Sequence, residues 1–140
     1  ERISVMYLNR EDVQRALHVR PTEFAFSTTL DYAFTAHTLL DLYRDELVDQ
    51  IDIMQYSGDA DPCVPYVGTQ RWIRSLELDE EAPWSPWQSP DDASAPAGYL
   101  TRFVSYNGKH RFWFATVRDA GHMVPRYKSE PALHLLRMFV

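Results

Sequence analysis

Two short motifs, each directly after a run of β-branched and aromatic residues, constrain this chain more than any other feature. The first is Tyr-Ser-Gly-Asp-Ala-Asp at residues 56–61, and the second is Asp-Ala-Gly-His-Met-Val-Pro at residues 119–125. Such runs predict strands, so Asp61 and His122 would each lie on a loop that follows a strand. Strands that end at one edge of an open sheet bring their following loops together. The motifs therefore predict a carboxylate beside a histidine.

A carboxylate beside a histidine makes up two members of a Ser–His–Asp triad. The carboxylate holds one ring nitrogen, which sets the tautomer and stabilises the imidazolium, so the other nitrogen can act as a general base. In α/β-hydrolases the triad residues follow the chain order Ser, Asp, His, and the last two occur here in that order. No Gly-x-Ser-x-Gly sequence is present. The serine is therefore expected from a preceding part of the same precursor or from a second chain.

We favour Asp61 over Asp59 as the partner of His122. Taken singly, a loop aspartate or histidine is more often a cap or a surface residue, and Asp59, directly after Gly58, could bond backbone amides in its turn. A metal site of Asp59, Asp61 and His122 is disfavoured, because no further histidine or carboxylate has the spacing of a ligand. We expect no metal and no other cofactor.

Cys63 is the only cysteine, so no disulfide can form within the chain, while a bridge to another chain stays open. One free thiol neither indicates nor excludes a secretory compartment. A nucleophilic role for Cys63 is disfavoured because a nearby carboxylate raises the pKa of a thiol, the opposite of activation.

Composition predicts a single globular unit over residues 1–140, since 45% of the residues are hydrophobic and 14% are aromatic. The formal net charge of −6 argues against nucleic acid or an anionic membrane as a partner, because both require a cationic surface. No apolar run approaches the roughly 18 residues that span a bilayer. The first residues do not form a signal peptide, so any targeting segment is expected upstream or already removed.

The periodicity of the chain predicts an α/β fold, with a mixed sheet flanked by helices. Strands are predicted over residues 49–56, 99–106 and 111–117, and helices over residues 9–18, within 27–47, over 68–78 and from 129 onward. Asn107-Gly108 is a strong hairpin signal between the last two strands. Residues 80–98 contain four prolines among acidic and small residues, which favours an irregular surface segment.

Several segments together resemble the C-terminal part of the serine carboxypeptidases. In chain order they are Tyr-Leu-Asn at 7–9, Val-Gln-Arg-Ala-Leu-His-Val at 13–19, the motif at 56–61, Val64-Pro65, Gly68-Thr69 and Ala-Gly-His-Met-Val-Pro at 120–125. The resemblance implies the C-terminal portion of an α/β-hydrolase fold, with Asp61 and His122 at the triad positions. It also implies that Met123 lines the leaving-group pocket and that Cys63 and Val64 lie near the acyl side.

The resemblance also implies a partner. In this family the serine, the oxyanion-hole amides and most groups that hold the substrate's terminal carboxylate belong to the earlier part of the precursor. Several members are cut into a large and a small chain, and this chain is similar to the small chain or to a C-terminal fragment. Family members usually have Trp and Cys where Phe24 and Ser27 stand, with that Cys bridged to the large chain. Cohesion of the two parts is therefore expected to depend on sheet pairing and burial.

The activity implied by the resemblance is that of a serine-type carboxypeptidase, which releases C-terminal amino acids from peptides by acyl transfer. An acidic compartment such as a lysosome or vacuole is expected, with secretion as the alternative. Two other hypotheses stay open. The same triad could serve an acyltransferase or a lyase, or the chain could be a non-catalytic binding or stabilising subunit or a fragment. An unpartnered fragment would expose apolar strand edges.

Overall fold

The structure is a computed structural model of the chain, and it describes residues 2–27, 31–33, 38–92 and 94–140. The chain forms two compact units, residues 1–37 and residues 38–140. Across the described ranges, no helix combines the length and the apolar character that a membrane span requires. Part of the helical region predicted within residues 27–47 lies outside the described residues.

The first unit contains two short helices, α1 (Arg2–Leu8) and α2 (Glu11–Ala16). The helix predicted over residues 9–18 is thus shorter than expected at both ends, and Asn9 does not cap it. The Asn9 side-chain amide donates to the Phe24 carbonyl at 2.9 Å, and the Phe24 N–H donates to Asn9 Oδ1 at 2.8 Å. These two bonds fasten the following loop to the turn between the helices.

The second unit is built on a mixed sheet that has four strands in the described part of the chain. They are β1 (Ile53–Gly58), β2 (Asp79–Trp87), β3 (Gly98–Val104) and β4 (Arg111–Val117). Their order is β1-β4-β3-β2, with β1 parallel to β4 and the other two pairs antiparallel. Gly58 is in register with Val117, so β1 and β4 end at the same edge of the sheet.

Helices cover both faces of the sheet at β4, which is therefore buried on both sides. Successive residues of a strand point to opposite faces, and the unbroken run Phe112 to Val117 supplies both. On one face, Phe112 and Phe114 pack with Ile73 near the end of α4 (Tyr66–Arg74). On the other face, Val117 packs with Leu135 of α6 (Ser129–Phe139). The predicted α/β class, a mixed sheet flanked by helices, is confirmed.

The other helices of this unit are α3, a π-helical turn that continues it, α5 and α6. They span Leu40–Leu42, Tyr43–Leu47, Val124–Tyr127 and Ser129–Phe139, respectively. The helix predicted from residue 129 is thus confirmed, whereas α5 was not predicted because its four residues are too few for a visible periodicity.

The turn between β3 and β4 follows the local sequence closely. Gly108 has φ of +71°, the left-handed conformation that glycine adopts without steric cost. The Gly108 N–H donates to the Ser105 carbonyl at 2.9 Å, and the Ser105 N–H donates to the His110 carbonyl at 2.9 Å. The hairpin predicted from Asn107-Gly108 is confirmed.

The prediction of an irregular segment over residues 80–98 is wrong for its first half, which belongs to β2. Pro83 and Pro86 lie within this strand. A proline lacks the N–H that an interior strand needs, but among the described strands β2 is the last in the order and pairs only with β3. The pairing is also irregular around the prolines, with two shifts of register.

Two tryptophans of β2 contact residues of β4. The ring of Trp84 stacks on Phe114 with their centroids 5.7 Å apart. Trp87 is buried, and its Nε1–H donates to the backbone carbonyl of Thr116 at 2.9 Å. Aromatic packing across the sheet therefore outweighs the local preference of a proline-rich stretch for irregular structure.

Candidate active site

Asp61 and His122 meet at the edge of the sheet where β1 and β4 end. His122 Nδ1 lies 2.8 Å from Asp61 Oδ2. The carboxylate is buried, with 5% of its side chain exposed, whereas 62% of the imidazole is exposed. One ring nitrogen thus faces the carboxylate, and within the described residues Nε2 has no hydrogen-bond partner.

The second carboxylate oxygen of Asp61 is held by its own loop. Oδ1 accepts hydrogen bonds from the backbone N–H groups of Cys63 at 2.8 Å and Val64 at 3.3 Å. An aspartate that bonds an amide two residues ahead closes an Asx turn, and Pro62 favours an extended conformation for the residue before it. Both oxygens are therefore oriented, one by the loop and one by His122.

These contacts lower the pKa of Asp61. The hydrogen bond from His122 is the main cause, burial of the carboxylate opposes it, and the amides of Cys63 and Val64 lower the pKa further. Asp61 is therefore ionised at neutral pH. An ionised carboxylate is the form that orients a histidine and stabilises the imidazolium.

The pairing of β1 with β4 continues beyond the ends of the strands. The Asp59 N–H donates to the Val117 carbonyl at 3.1 Å, and the Ala60 N–H donates to the Ala120 carbonyl at 3.0 Å. The Asp59 carboxylate accepts from the N–H of Asp119 at 2.7 Å. Asp59 thus bonds a backbone amide, as considered from the sequence, but the amide belongs to the other loop.

Gly58 allows the two loops to approach this closely. A Cβ at this position would lie 2.2 Å from the Ala120 carbonyl oxygen and 2.5 Å from that of Gly121. Both atoms belong to the backbone, so no side-chain rotation could relieve the overlap. The sequence motif contains this glycine, but its spatial neighbours could not be read from the sequence.

Residues at both ends of the loop that carries His122 restrict its backbone conformation. Asp119 has φ of +56°, a left-handed conformation that costs a non-glycine residue about 1–2 kcal/mol. After His122, Pro125 lies in the first turn of α5, where a missing N–H is tolerated. The ring of Tyr127 covers Gly121, with 3.3 Å from its nearest atom to a Cβ placed there.

The predicted substrate-binding residues surround the pair in different ways. Val64 lines a cavity of about 160 Å³ beside Asp61 and His122. Cys63 is a free, exposed cysteine, and Met123 is 47% exposed directly after His122; neither belongs to the described lining of this cavity.

Two buried hydroxyl residues, Ser57 and Thr69, also line the cavity beside the pair. Sequence reasoning missed both as site residues. Ser57 is part of the first motif and Thr69 follows Gly68, so their proximity to the motif was a usable signal, whereas their burial was not visible in the sequence.

The described residues contain no group of three or more His, Cys, Asp and Glu side chains that could hold a metal ion. By sequence, Asp59 is a disfavoured ligand candidate together with Asp61 and His122. Its carboxylate instead accepts from the Asp119 backbone, while Asp61 is occupied by His122 and two amides.

Comparison with known proteins gives a consistent result. A family model described as serine carboxypeptidase matches residues 1–140. Among relatives from Arabidopsis thaliana, serine carboxypeptidase-like 25 is 33% identical, over 100% of this chain and 29% of that protein. Serine carboxypeptidase-like 22 is 32% identical over 100% and 30%, and serine carboxypeptidase 24 is 33% identical over 96% and 28%. The chain thus spans less than a third of the length of these relatives.

Proposed function

The chain belongs to the serine carboxypeptidase family, and from this premise we propose that it supplies Asp61 and His122 to a triad that releases C-terminal amino acids from peptides. The observation that carries the proposal is the 2.8 Å contact between a buried carboxylate and an exposed imidazole. In a Ser–His–Asp triad the carboxylate binds Nδ1–H and leaves Nε2 to face the serine. The free Nε2 edge of His122 supports this role.

The serine of this triad comes from the part of the protein outside the chain. His122 Nε2 accepts the serine proton as the serine oxygen attacks the carbonyl carbon of the last peptide bond. The imidazolium then donates that proton to the leaving nitrogen, the C–N bond breaks, and the C-terminal amino acid departs. Water, deprotonated by His122, attacks the acyl ester, and the serine regains a proton from the imidazolium. Asp61 stays ionised throughout.

An open side of the sheet supports the need for a Ser-bearing partner. Within the described residues β1 pairs with β4 on one side only. The backbone N–H and C=O groups along the opposite long side of β1 are therefore free to pair with another strand. Beside this edge lies an apolar groove of about 300 Å³, lined in part by Tyr56, Leu133 and Leu136. These three side chains are 40–49% exposed. A free strand edge next to exposed apolar side chains is typical of an interface.

For the substrate, we propose that Met123 contacts the departing amino acid and that Val64 and Cys63 contact the acyl side. All three residues are exposed near the Asp61–His122 pair, which supports contact with a peptide. Val64 also lines the adjoining cavity.

We further propose a lysosomal or vacuolar location, with secretion as the alternative. An acidic compartment requires the Asp61 carboxylate to stay charged at low pH, and its lowered pKa is compatible with that requirement. Cell fractionation with an antibody against this chain tests the location: recovery with acidic organelles supports it, and recovery in the medium alone contradicts it.

A test of the proposed activity combines fluorophosphonate labelling with a peptide-release assay on the protein that contains this chain. Three forms are compared: wild type, His122→Ala and His110→Ala. His110 is a matched control because its Nδ1 also lies near an aspartate, at 3.4 Å from Asp52 Oδ1, but at the opposite end of β4. We expect the label on a serine outside this chain, release of free C-terminal amino acids, and loss of both only in His122→Ala.

Three other results would contradict the proposal. An intact protein that takes no label and releases no amino acid is a non-catalytic subunit or a fragment. A labelled protein that transfers the acyl group to an added alcohol but not to water is an acyltransferase. Equal losses in the two histidine variants would show that His122 has no special role.

A further inference from the structure

Three hydrogen bonds connect the two loops at the edge of the sheet, and they follow one another along both segments of chain. They join Asp59 to Asp119 at 2.7 Å, Ala60 to Ala120 at 3.0 Å and Asp61 to His122 at 2.8 Å. The middle bond joins two backbone groups, and the last is the proposed catalytic pair. The first depends on a side chain that the mechanism does not use, the carboxylate of Asp59.

Resting on the proposed function, we propose that Asp59 is a positioning residue that keeps His122 in place against Asp61 by holding the backbone of Asp119. Asp59 itself bonds the Asp119 amide and has no bond to His122. Its effect on the reaction therefore passes through the loop.

The conformation of Asp119 explains why this bond matters. Asp119 is one of the described non-glycine residues with positive φ, at +56°, and it stands three positions before His122. A rotation of its backbone toward a common conformation would redirect the loop that follows. Because the Asp59 carboxylate accepts from the N–H of Asp119, the observed conformation gains a charge-assisted hydrogen bond that the alternatives lose.

The exposure of His122 makes its position depend on the backbone. The imidazole is 62% exposed in this chain, so packing within the chain does little to hold it, and its described side-chain hydrogen bond is the one to Asp61. A shift of the loop would therefore move the ring directly. Asp61 cannot follow such a shift, because the amides of Cys63 and Val64 hold its other oxygen.

Two nearby cations offset the negative charge of the Asp119 carboxylate, which follows the backbone N–H that Asp59 accepts. The Asp119 side chain lies 3.8 Å from Arg118 Nε and 3.9 Å from Lys128 Nζ. These charges offset the repulsion that Asp59 and Asp119 would otherwise exert on each other. The Asp59 carboxylate can thus lie beside Asp119 and accept its N–H.

The experiment uses the protein with its Ser-bearing part and compares Asp59→Ala, Asp59→Asn and Asp49→Ala with wild type. The asparagine keeps an oxygen that can accept the Asp119 N–H. Asp49 is the matched control, because its Oδ1 accepts the backbone N–H of Asn107 at 2.9 Å, far along the chain at the other end of the sheet. The readouts are kcat and KM for peptide release, and the proton NMR signal of the imidazole Nδ1–H bonded to Asp61.

We expect Asp59→Ala to lower kcat about tenfold with KM within about twofold, and to weaken or remove the Nδ1–H signal. Asp59→Asn should retain the signal and at least a third of the wild-type kcat, and Asp49→Ala should match wild type in both readouts. An Asp59→Ala protein with wild-type kcat and an intact signal would overturn the proposal. So would a fall in kcat in Asp59→Ala with an intact Nδ1–H signal, because Asp59 would then affect the reaction without placing His122.

The same readouts separate this proposal from the proposed function. If the wild-type protein releases no amino acid but shows the Nδ1–H signal, the proposed function fails, and the signal alone still tests Asp59. If the wild-type protein shows neither peptide release nor this signal, both proposals fail.

Discussion

The two ends of the β1–β4 pair contain similar residues that are arranged differently. At the amino end, the Asp52 carboxylate accepts from the Arg111 guanidinium at 2.8 and 2.6 Å, and His110 Nδ1 lies 3.4 Å away. At the carboxyl end, Asp61 accepts two backbone amides and meets His122 at 2.8 Å. Each end therefore joins an aspartate to a histidine across the same two strands.

The permanent charge of Arg111 distinguishes the two ends. A guanidinium keeps its proton at any pH a folded protein meets, so Asp52 belongs to a lasting ion pair. Asp61 has no arginine or lysine among its described hydrogen-bond and ion-pair partners, and His122 becomes a cation only when it accepts a proton. A permanent cation suits an ion pair that stabilises the fold, whereas an imidazole ring with a free nitrogen suits proton transfer. The comparison thus predicts which end affects turnover and which affects stability.

The largest expected effect is at the carboxyl end. His122→Ala should lower kcat/KM for peptide release by at least about 10⁴-fold, and Asp61→Asn nearly as much, because the base or its orienting carboxylate is lost. His110→Ala and Asp52→Asn, the equivalent changes at the amino end, should leave kcat/KM within about twofold. Steady-state kinetics with thermal unfolding of all four variants measures this. Similar kinetic losses at both ends would contradict the assignment of turnover to the carboxyl end.

Gly58→Ala should have the next largest effect. The added methyl group overlaps two backbone carbonyls, so the loops must separate, with a stability loss of about 1–3 kcal/mol or more and at least a tenfold fall in kcat. Gly68→Ala is the control, because a Cβ there meets no atom within 4 Å and the residue lies in α4, where alanine is favoured by about 0.5–1 kcal/mol. Urea unfolding and peptide release distinguish them. A Gly58→Ala protein with normal turnover would show that this close approach is dispensable.

A smaller effect is expected on stability from Asp52→Asn at the amino end, and it should depend on pH. The Arg111 N–H and then its guanidinium lower the pKa of Asp52. A carboxyl whose pKa is lowered by folding stabilises fully above its unfolded pKa of about 3.9, and this contribution is lost as the pH falls through the lowered value. Asp52→Asn should therefore cost about 1 kcal/mol or less at pH 7, and the difference from wild type should shrink below about pH 4.

Urea unfolding of both proteins at pH 7 and pH 3 measures that difference. A gap that widens in acid would contradict the assigned ion pair. Peptide release at pH 7 should be unchanged in Asp52→Asn, which sharpens the contrast with Asp61→Asn.

The smallest expected effect is that of Cys63→Ser. The described contact of Cys63 with Asp61 is made by its backbone N–H, which serine also has, and the thiol is exposed. Turnover should stay within about twofold, and a change in KM alone would support the proposed contact with the acyl side of the substrate. A large fall in kcat would instead give the thiol a part in the reaction, which the mechanism above does not include.

How far the sequence predicts the structure depends on the range of the interactions involved. The hairpin at Asn107-Gly108 and the strand from Arg111 to Val117 follow from turn chemistry and a local apolar run. β2 was missed because Pro83 and Pro86 outweigh its strand pattern locally. Their tolerance depends on the edge position of β2 and on the contacts that Trp84 and Trp87 make with β4. The local sequence shows neither the position nor the contacts.

The α/β class and the position of the two motifs after strand-like runs follow from the order of the residues alone. Which aspartate meets the histidine, what Asp59 binds and why residue 58 is a glycine depend on contacts made in the folded chain. The hydrogen bonds concerned join residues 60 and 61 positions apart. Their geometry is set by the register of two parallel strands, which depends on packing against both faces of the sheet and not on the order of residues in either motif.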